Sequence, residues 1–350
     1  MQIDYLVIGQ GLAGSLLAWE LMQRDKKVII IDNGKENASL MAAGLINPVT
    51  GMRLVKSANV DLLLPAAMEY YQKLAVYFQQ AFYVEKQLLR VLANEKELAI
   101  YKKRQQQIEY QDYLSKNISS QHSLSSPYGL IKQTKTGYLR SRPLLTALKS
   151  YFVSRQSYIK AEIDYREINC LQQLHWRNLH PQCIVFCEGH HASNNPWFSY
   201  LPFQPVKGEI ITASSHHEIP QNIINYGHWF IPLGSRQFRT GATFDRERLD
   251  TRTTLTAKKT LFDALKKAMP TLSINAVISQ QAGIRPTTLD KQPFLGRHPI
   301  KPELVIFNGF GAKGSLQIPW CCQSLADHLI HNKAIPETCS IMRYEKLLKY

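Results

Sequence analysis

Acidic residues are scarce in this chain: 27 aspartates and glutamates stand against 42 lysines and arginines in 350 residues, a formal charge of +15. An excess of that size suits a nucleic-acid surface, yet no block of five or more like charges occurs. The short clusters Lys102-Lys103-Arg104 and Lys258-Lys259 fall in helix-like segments, where a solvated face is the usual reason for them. Long apolar runs are missing too. Nothing approaches the roughly 18 consecutive apolar residues of a membrane span, and a chain that opens on a strand leaves no room for a signal peptide. Cysteine is sparse and unpatterned. Cys170, Cys183, Cys187, Cys321, Cys322 and Cys339 form no Cys-x-x-Cys pair, which argues against a zinc site and reads as reduced thiols of a cytoplasmic protein. The pairs His190-His191 and His216-His217 also lack metal-ligand spacing and read as loop residues, so no metal site is expected. There is no internal repeat and no low-complexity segment. What remains is a 45% apolar chain with ample core material and a length that suggests about two domains.

The most telling segment comes first. The apolar strand ending Leu6-Val7-Ile8 runs into Gly9-Gln10-Gly11-Leu12-Ala13-Gly14, an amphipathic helix follows, and a second strand, Val28 to Ile31, ends on Asp32 and Asn33. This is the grammar of a dinucleotide-binding βαβ unit. Gly9 permits the tight turn, Gly11 lets a pyrophosphate approach the backbone, and Gly14 allows close helix–sheet packing. The helix N-terminus favours the phosphates, and Asp32 can accept hydrogen bonds from a ribose. The motif alone does not separate NAD from FAD.

Further along, the spacing predicts helices over Val60–Tyr77, Lys96–Gln107, 143–155, with Pro143 in the first turn, and Leu255–Met269. Strands are expected at Gln87–Leu92, Ile163–Ile168 and Cys183–Cys187, and as alternating strands and turns through 205–245. Ser115–Ser126 reads as an exposed serine-rich loop. The chain ends as it began: a strand, Glu303–Asn308, a glycine loop, Gly309-Phe310-Gly311-Ala312-Lys313-Gly314, and a helix, Ser315–Ile330. A glycine loop opening a helix at each end fits one nucleotide domain assembled from separated segments.

Four further segments resemble the D-amino-acid oxidase, glycine oxidase and sarcosine oxidase family (the DAO family). Ser39-Leu40-Met41-Ala42-Ala43-Gly44-Leu45-Ile46 is similar to the family's segment beside the flavin ring. Pro205-Val206-Lys207-Gly208-Glu209 and Gly241-Ala242-Thr243 are similar to strands of its substrate sheet. Ala282-Gly283-Ile284-Arg285-Pro286-Thr287 with Asp290, Pro293 and Gly296 resembles its Gly-x-Arg-Pro signature. The matches occur in order over nearly the whole chain. The resemblance implies an α/β protein: a Rossmann-like FAD-binding domain from 1–76, 139–197 and 278–350, and a mixed-sheet substrate domain from 77–138 and 198–277. It also chooses FAD as cofactor, bound noncovalently because no cysteine lies between Cys187 and Cys321. Its contacts are implied at Gly9, Gly11, Leu12, Ala13, Gly14, Asp32, Asn33, Ser39, Ala42, Ala43, Gly44, Leu45, Ile46, Gly189, Arg285, Gly311, Ala312, Lys313, Gly314, Ser315 and Leu316. Asp32 departs from the family's more usual glutamate by one methylene. Glu188 stands where the family often has a small or hydroxyl residue.

The resemblance implies an enzyme that oxidises the C–N bond of a small amino acid or secondary amine by hydride transfer to flavin N5, with oxygen or another electron acceptor. Arg285 would clamp the substrate carboxylate through two parallel hydrogen bonds; the alternative is a structural ion pair. Lys313 would offset negative charge developing on the reduced flavin, or is simply a surface lysine. Trp229 and Phe244 would line the substrate pocket, or belong to the core. Two other functions stay open. One is a tRNA-modifying flavoenzyme that removes a carboxymethyl group from wobble uridine, which the Gly311–Gly314 loop and the tail from Arg343 to Tyr350 also resemble. The other is a flavin-binding module without catalysis.

Overall fold

In the computed structural model, which describes residues 1–35, 37–170 and 173–348, two sheets carry the architecture. Their strands, in chain order, are β1 (Gln2–Ile8), β2 (Val28–Asp32), β3 (Leu88–Val91), β4 (Leu114–Ser119), β5 (Leu130–Gln133), β6 (Tyr158–Lys160), β7 (His180–Phe186), β8 (Val206–Ser215), β9 (Ile223–Asn225), β10 (Trp229–Pro232), β11 (Gln237–Gly241), β12 (Ile274–Arg285), β13 (Phe294–Arg297) and β14 (Leu304–Asn308). The helices are α1 (Leu12–Met22), α2 (Ala38–Met41), α3 (Val60–Phe78), α4 (Glu95–Gln105), α5 (Ser141–Ser154), α6 (Leu255–Ala268) and α7 (Gly314–His331).

The first sheet has six strands in the order β6-β2-β1-β7-β14-β13. All pairs are parallel except β13 with β14. A parallel sheet buries both faces, and alternate residues here enter different cores. Val7, Ile30 and Val185 meet α1, α3, α5 and α7, while Leu6, Ile31 and Phe186 meet the opposite core. Two tyrosines of α3 tie the helical layer together: Tyr70 donates to the Leu16 carbonyl at 2.9 Å and Tyr71 to the Ser315 carbonyl at 2.6 Å.

The second sheet has eight strands in the order β12-β8-β11-β10-β9-β3-β5-β4. It is antiparallel except where β9 pairs with β3. One face packs on α6, whose Leu261 and Leu265 join Phe230 and Phe238. The other face carries Gly208, Ile210, Trp229 and Gly241, which line a cleft against the first sheet's glycine loops. Residue 278, where the sequence places the return to dinucleotide-binding segments, lies inside β12 at a register shift of its pairing with β8.

Several local expectations change. Helix α1 is buried nearly all round rather than amphipathic, because it is wedged between the sheet, α5 and α7. The serine-rich stretch is not all loop: Leu114–Ser119 forms the edge strand β4, its Ile118 opposite Ile131 of β5. The expected strand Ile163–Ile168 is instead a 3₁₀ turn, Tyr165–Glu167, because the Asp164 carboxylate caps Arg166 N–H at 3.0 Å; only Ile168–Asn169 is extended. The strand beside β2 is Tyr158–Lys160. Arg343 is no free basic arm, since its guanidinium pairs with Asp290 at 2.8 Å; Lys349 and Tyr350 of the tail lie outside the described residues.

The tightest packing is at the first turn. Gly9 has φ of +104°, and a Cβ there would sit 2.6 Å from the Cys187 carbonyl oxygen. A Cβ on Gly14 would sit 1.9 Å from the Gly9 carbonyl oxygen. Gly14→Ala is therefore expected to cost about 1–3 kcal/mol or more in chemical denaturation. At Gly51, φ is +72° with nothing within 4 Å of a built Cβ, so Gly51→Ala should cost only the left-handed penalty, about 1–2 kcal/mol. The reverse ranking would contradict the packing argument.

Candidate active site

The cleft between the two sheets has a volume of about 1110 Å³, above the roughly 300–1,000 Å³ of ordinary small-molecule sites. It is lined by residues of the first glycine loop and of the eight-stranded sheet. Of the residues assigned to the cofactor or substrate, Gly9, Gly11, Leu12, Ala13, Asp32, Asn33, Ser39, Ala42 to Leu45, Gly189, Trp229, Phe244, Arg285 and Gly311 to Ser315 line it. Gly14, Ile46 and Leu316 do not. Gly14 is spent on packing against Gly9, Ile46 is fully buried, and Leu316 is turned into the helical core.

At the dinucleotide end, Gly11 is the N-cap of α1 and supplies no side chain to the helix N-terminus. Its missing Cβ would meet only Ser39 Oγ, at 3.3 Å, so the space above it belongs to the cleft. Ser39 Oγ accepts from Leu12 N–H at 3.0 Å. Asp32 has a local task besides the expected one: Oδ2 accepts from Gln10 N–H at 2.8 Å and Oδ1 from Gly34 N–H at 2.7 Å. Each carboxylate oxygen still has a lone pair for a hydroxyl.

Glu188, unexplained by the resemblance, has partners on two separate segments. Tyr165 O–H donates to Oε1 at 2.8 Å and Asn195 Nδ2 to Oε2 at 2.9 Å. Burial pushes its carboxyl up to about 7, only partly countered by those two donors. Next to it His190 and His191, in a 3₁₀ helix over Gly189–Asn194 rather than a loop, have ring centroids 4.0 Å apart and both line the cleft. Burial, then the charge of His191, brings His190 down to about 4.

Ala42, Ala43 and Gly44 line the same cleft as Phe310 to Lys313 and the N-terminus of α7. Asn308 fixes that loop by donating to the Gly189 carbonyl at 2.9 Å and accepting from Gly309 N–H at 2.8 Å. Lys313 reaches solvent along its stem, yet its ammonium donates to Ser57 Oγ at 3.1 Å. Partial burial, then the charge of Lys291, holds it below the usual lysine range. Arg285 is mostly buried and lies flat over Gly208, where a Cβ would fall 2.1 Å from Nη2. Its polar contact is a long hydrogen bond of 3.4 Å to the Thr243 carbonyl. Among the described residues no carboxylate pairs with it, so the structural ion pair is not its role, and burial alone lowers its pKa.

Sequence reasoning missed the frame around these groups. Lys207, 1% exposed, donates to Asp250 at 2.6 Å and lies 3.9 Å from Glu209. Glu209 in turn accepts from the backbone N–H and hydroxyl of Thr254, each at 2.9 Å. This network anchors the segment 244–254, whose Phe244, Leu249 and Asp250 line the cleft. The only sequence signal was the Lys-Gly-Glu string itself, which names no partner.

Three comparisons bear on this site. The profile of the DAO family, FAD dependent oxidoreductase, matches residues 4–328. A tRNA 5-methylaminomethyl-2-thiouridine biosynthesis bifunctional protein, MnmC of Marinobacter nauticus, is 22% identical over 368 residues, covering 97% of this chain but 57% of that protein. The chain thus spans little more than half the length of that relative. Glycine oxidase of Bacillus subtilis is 23% identical, covering 95% of this chain and 94% of that enzyme. The structure of glycine oxidase from Geobacillus kaustophilus superimposes with a TM-score of 0.82 at 20% identity, covering 100% of this chain and 99% of that one.

The cleft fits FAD on its own chemistry. The N-cap residues of α1 and α7, Gly11 and Lys313, provide no side-chain cap, and both helix starts line the cleft. Gly11→Val should keep a cooperative melt but purify without visible flavin absorbance; a yellow mutant would contradict the assignment. Glu188 gives a pH test. The folded protein keeps this proton up to about 7, whereas the unfolded chain releases it near 4.5, so stability falls as pH rises through that window. Glu188→Gln should flatten this fall in melts between those pH values. By the match over nearly its whole length, and by a cleft built to hold a dinucleotide, this chain belongs to the DAO family of FAD-dependent oxidoreductases.

Proposed function

We propose that the protein oxidises the C–N bond of a small amino acid or secondary amine bearing a carboxylate, as the name glycine oxidase implies for its relatives. The observation that carries this reading is Arg285: a mostly buried guanidinium in the cleft, over Gly208, with no carboxylate partner among the described residues. An uncompensated buried cation is costly, and a substrate carboxylate removes that cost by a bidentate pair. Bound FAD supplies the two-electron acceptor for the hydride of the α-carbon. The chain's own residues place that carbon. Arg285 fixes the carboxylate, the Thr243 carbonyl steadies Arg285, and Trp229 with Ile210 forms an apolar wall that excludes water. Lys313 holds positive charge beside the N-terminus of α7, where it favours negative charge in the cleft.

Anaerobic mixing with glycine, sarcosine, D-alanine and D-proline tests the reading directly. At least one should bleach the flavin, and none doing so would remove this substrate class. Arg285→Ala should leave flavin bound and lower kcat/KM for carboxylate-bearing amines about 10²–10³-fold, the loss expected for one partner of a desolvated charge pair. Unchanged kinetics would sink the clamp.

One observation supports a second reading, in which the amine is carried on the wobble uridine of tRNA. Phe244 is 65% exposed although it lines the cleft, and the Arg246 guanidinium lies 5.3 Å from its ring centroid. An aromatic of this kind is a platform for a base, worth about 1–3 kcal/mol per stack. Retention of tRNA should then fall steeply between low and physiological salt and weaken in Phe244→Ala. Failure to retain tRNA at any salt concentration would dispose of it.

A further inference from the structure

Glu188 follows β7 at the dinucleotide end of the cleft. Its backbone nitrogen lies 3.5 Å from the place a Cβ of Gly9 would take, so it adjoins the first glycine turn. The side chain is partly buried and lines the cleft. A carboxylate there is an unfavourable neighbour for a dinucleotide, whose phosphates repel it in a low-dielectric site.

The protein meets this carboxyl with neutral donors. Asn195 is 0% exposed, and its Oδ1 accepts from Trp197 N–H at 3.0 Å, which leaves Nδ2 to donate to Glu188 Oε2 at 2.9 Å. The Tyr165 ring packs against Phe186 and Trp197, and its hydroxyl donates to Oε1 at 2.8 Å. Among the described residues these are the polar contacts of the carboxyl, and no cation pairs with it. Burial outweighs both donors, so the acid keeps its proton up to about 7. A protonated carboxyl carries one O–H. With Tyr165 and Asn195 both donating, that hydrogen has no acceptor in the protein and is left for the cleft.

Other titratable groups stand around it. Burial pushes Tyr165 and Cys187 up, and burial with the charge of His191 brings His190 down to about 4. Asp32, at the end of β2, accepts from two backbone N–H groups, and Lys35 pairs with Glu162 at 3.2 Å. None of these charges moves the Glu188 proton; burial and the two neutral donors do.

We propose that Glu188 binds the cofactor as a neutral acid, donating a hydrogen bond to the phosphate-bearing half of FAD, so that FAD binding is coupled to a proton held at this residue. The acid offers a donor where phosphate and ribose oxygens offer acceptors. The carboxylate offers acceptors and a repelling charge. Binding therefore favours the protonated form, and FAD retention falls as pH rises past the point where the free site loses its proton.

The test uses the flavin-loaded protein. FAD release on dilution is read by flavin fluorescence at pH 6 and pH 8 with ionic strength held constant. The apparent dissociation constant of the wild type should rise about five- to tenfold between them. Glu188→Gln keeps a neutral donor of the same shape, so it should hold FAD more tightly than the wild type at pH 8 and lose most of this pH dependence. Glu188→Ala lacks the donor and should hold FAD weakly at both pH values. Tyr165→Phe removes a donor that favours the ionised acid; it should move the fall to higher pH, and it serves as the test if Glu188→Gln does not fold. Release from the wild type that is independent of pH overturns the proposal. A fall that persists in Glu188→Gln assigns the pH dependence to the neighbouring histidines and overturns it as well. Glu188→Ala holding FAD as tightly as Glu188→Gln would show that only the charge matters and would remove the hydrogen bond.

Discussion

Three backbones meet at the start of α1, and the cleft depends on how closely they do so. The Gly9 carbonyl oxygen occupies the place a Cβ of Gly14 would take, and the Cys187 carbonyl occupies the place a Cβ of Gly9 would take. The turn after β1 is thereby pressed onto both its own helix and the end of β7. Helix α1 starts close to the sheet, and its N-terminal end faces the cleft rather than a layer of side chains. Gly11 lies between the two packed glycines, and a Cβ there would meet a side-chain oxygen, Ser39 Oγ at 3.3 Å, rather than backbone. The same loop thus uses glycine for backbone contact at Gly9 and Gly14 and for room beside Ser39 at Gly11.

The close approach also aligns the strand ends that supply the remaining groups. Gln10 N–H reaches Asp32 at the end of β2, Gly9 N–H reaches the Ile31 carbonyl at 2.8 Å, and Asn308 at the end of β14 reaches the Gly189 carbonyl beyond β7. These bonds join residues far apart in sequence at the carboxyl edge of one parallel sheet, the edge where open α/β sheets bind ligands. The second sheet contributes the opposite wall. Its Gly208 and Gly241 keep that wall low, one beneath the Arg285 guanidinium and the other beside Trp229.

Much of this was legible from the chain because backbone constraints leave glycines behind. The loops at Gly9–Gly14 and Gly309–Gly314 could be placed on strand–turn–helix units from spacing alone. Arg285 was different: only resemblance singled it out, and its lack of an ion-pair partner is a fact of three-dimensional surroundings. What stayed hidden was set by partners distant in sequence. Tyr158–Lys160 is too short to show a period and is a strand because β2 offers it an edge. Ser115–Ser126 reads as an exposed loop, yet pairing with β5 makes Leu114–Ser119 extended. Glu188 depends on Tyr165 and Asn195, and Lys207 on Asp250 in a loop after the next strands. No local pattern announces such pairs.

The cations of the eight-stranded sheet show how charge is divided between structure and ligand. Lys207 is almost fully buried, with Asp250 at 2.6 Å and Glu209 at 3.9 Å. Arg90, also buried, has Glu97 at 3.1 Å. Both are structural pairs, and removing Asp250 or Glu97 would leave a buried cation without its carboxylate. Among the described residues, Arg285 lies in the cleft without such a carboxylate, although burial disfavours its charge. In the proposed function a substrate carboxylate supplies that partner, and the cost of burying the guanidinium becomes selectivity for anionic substrates.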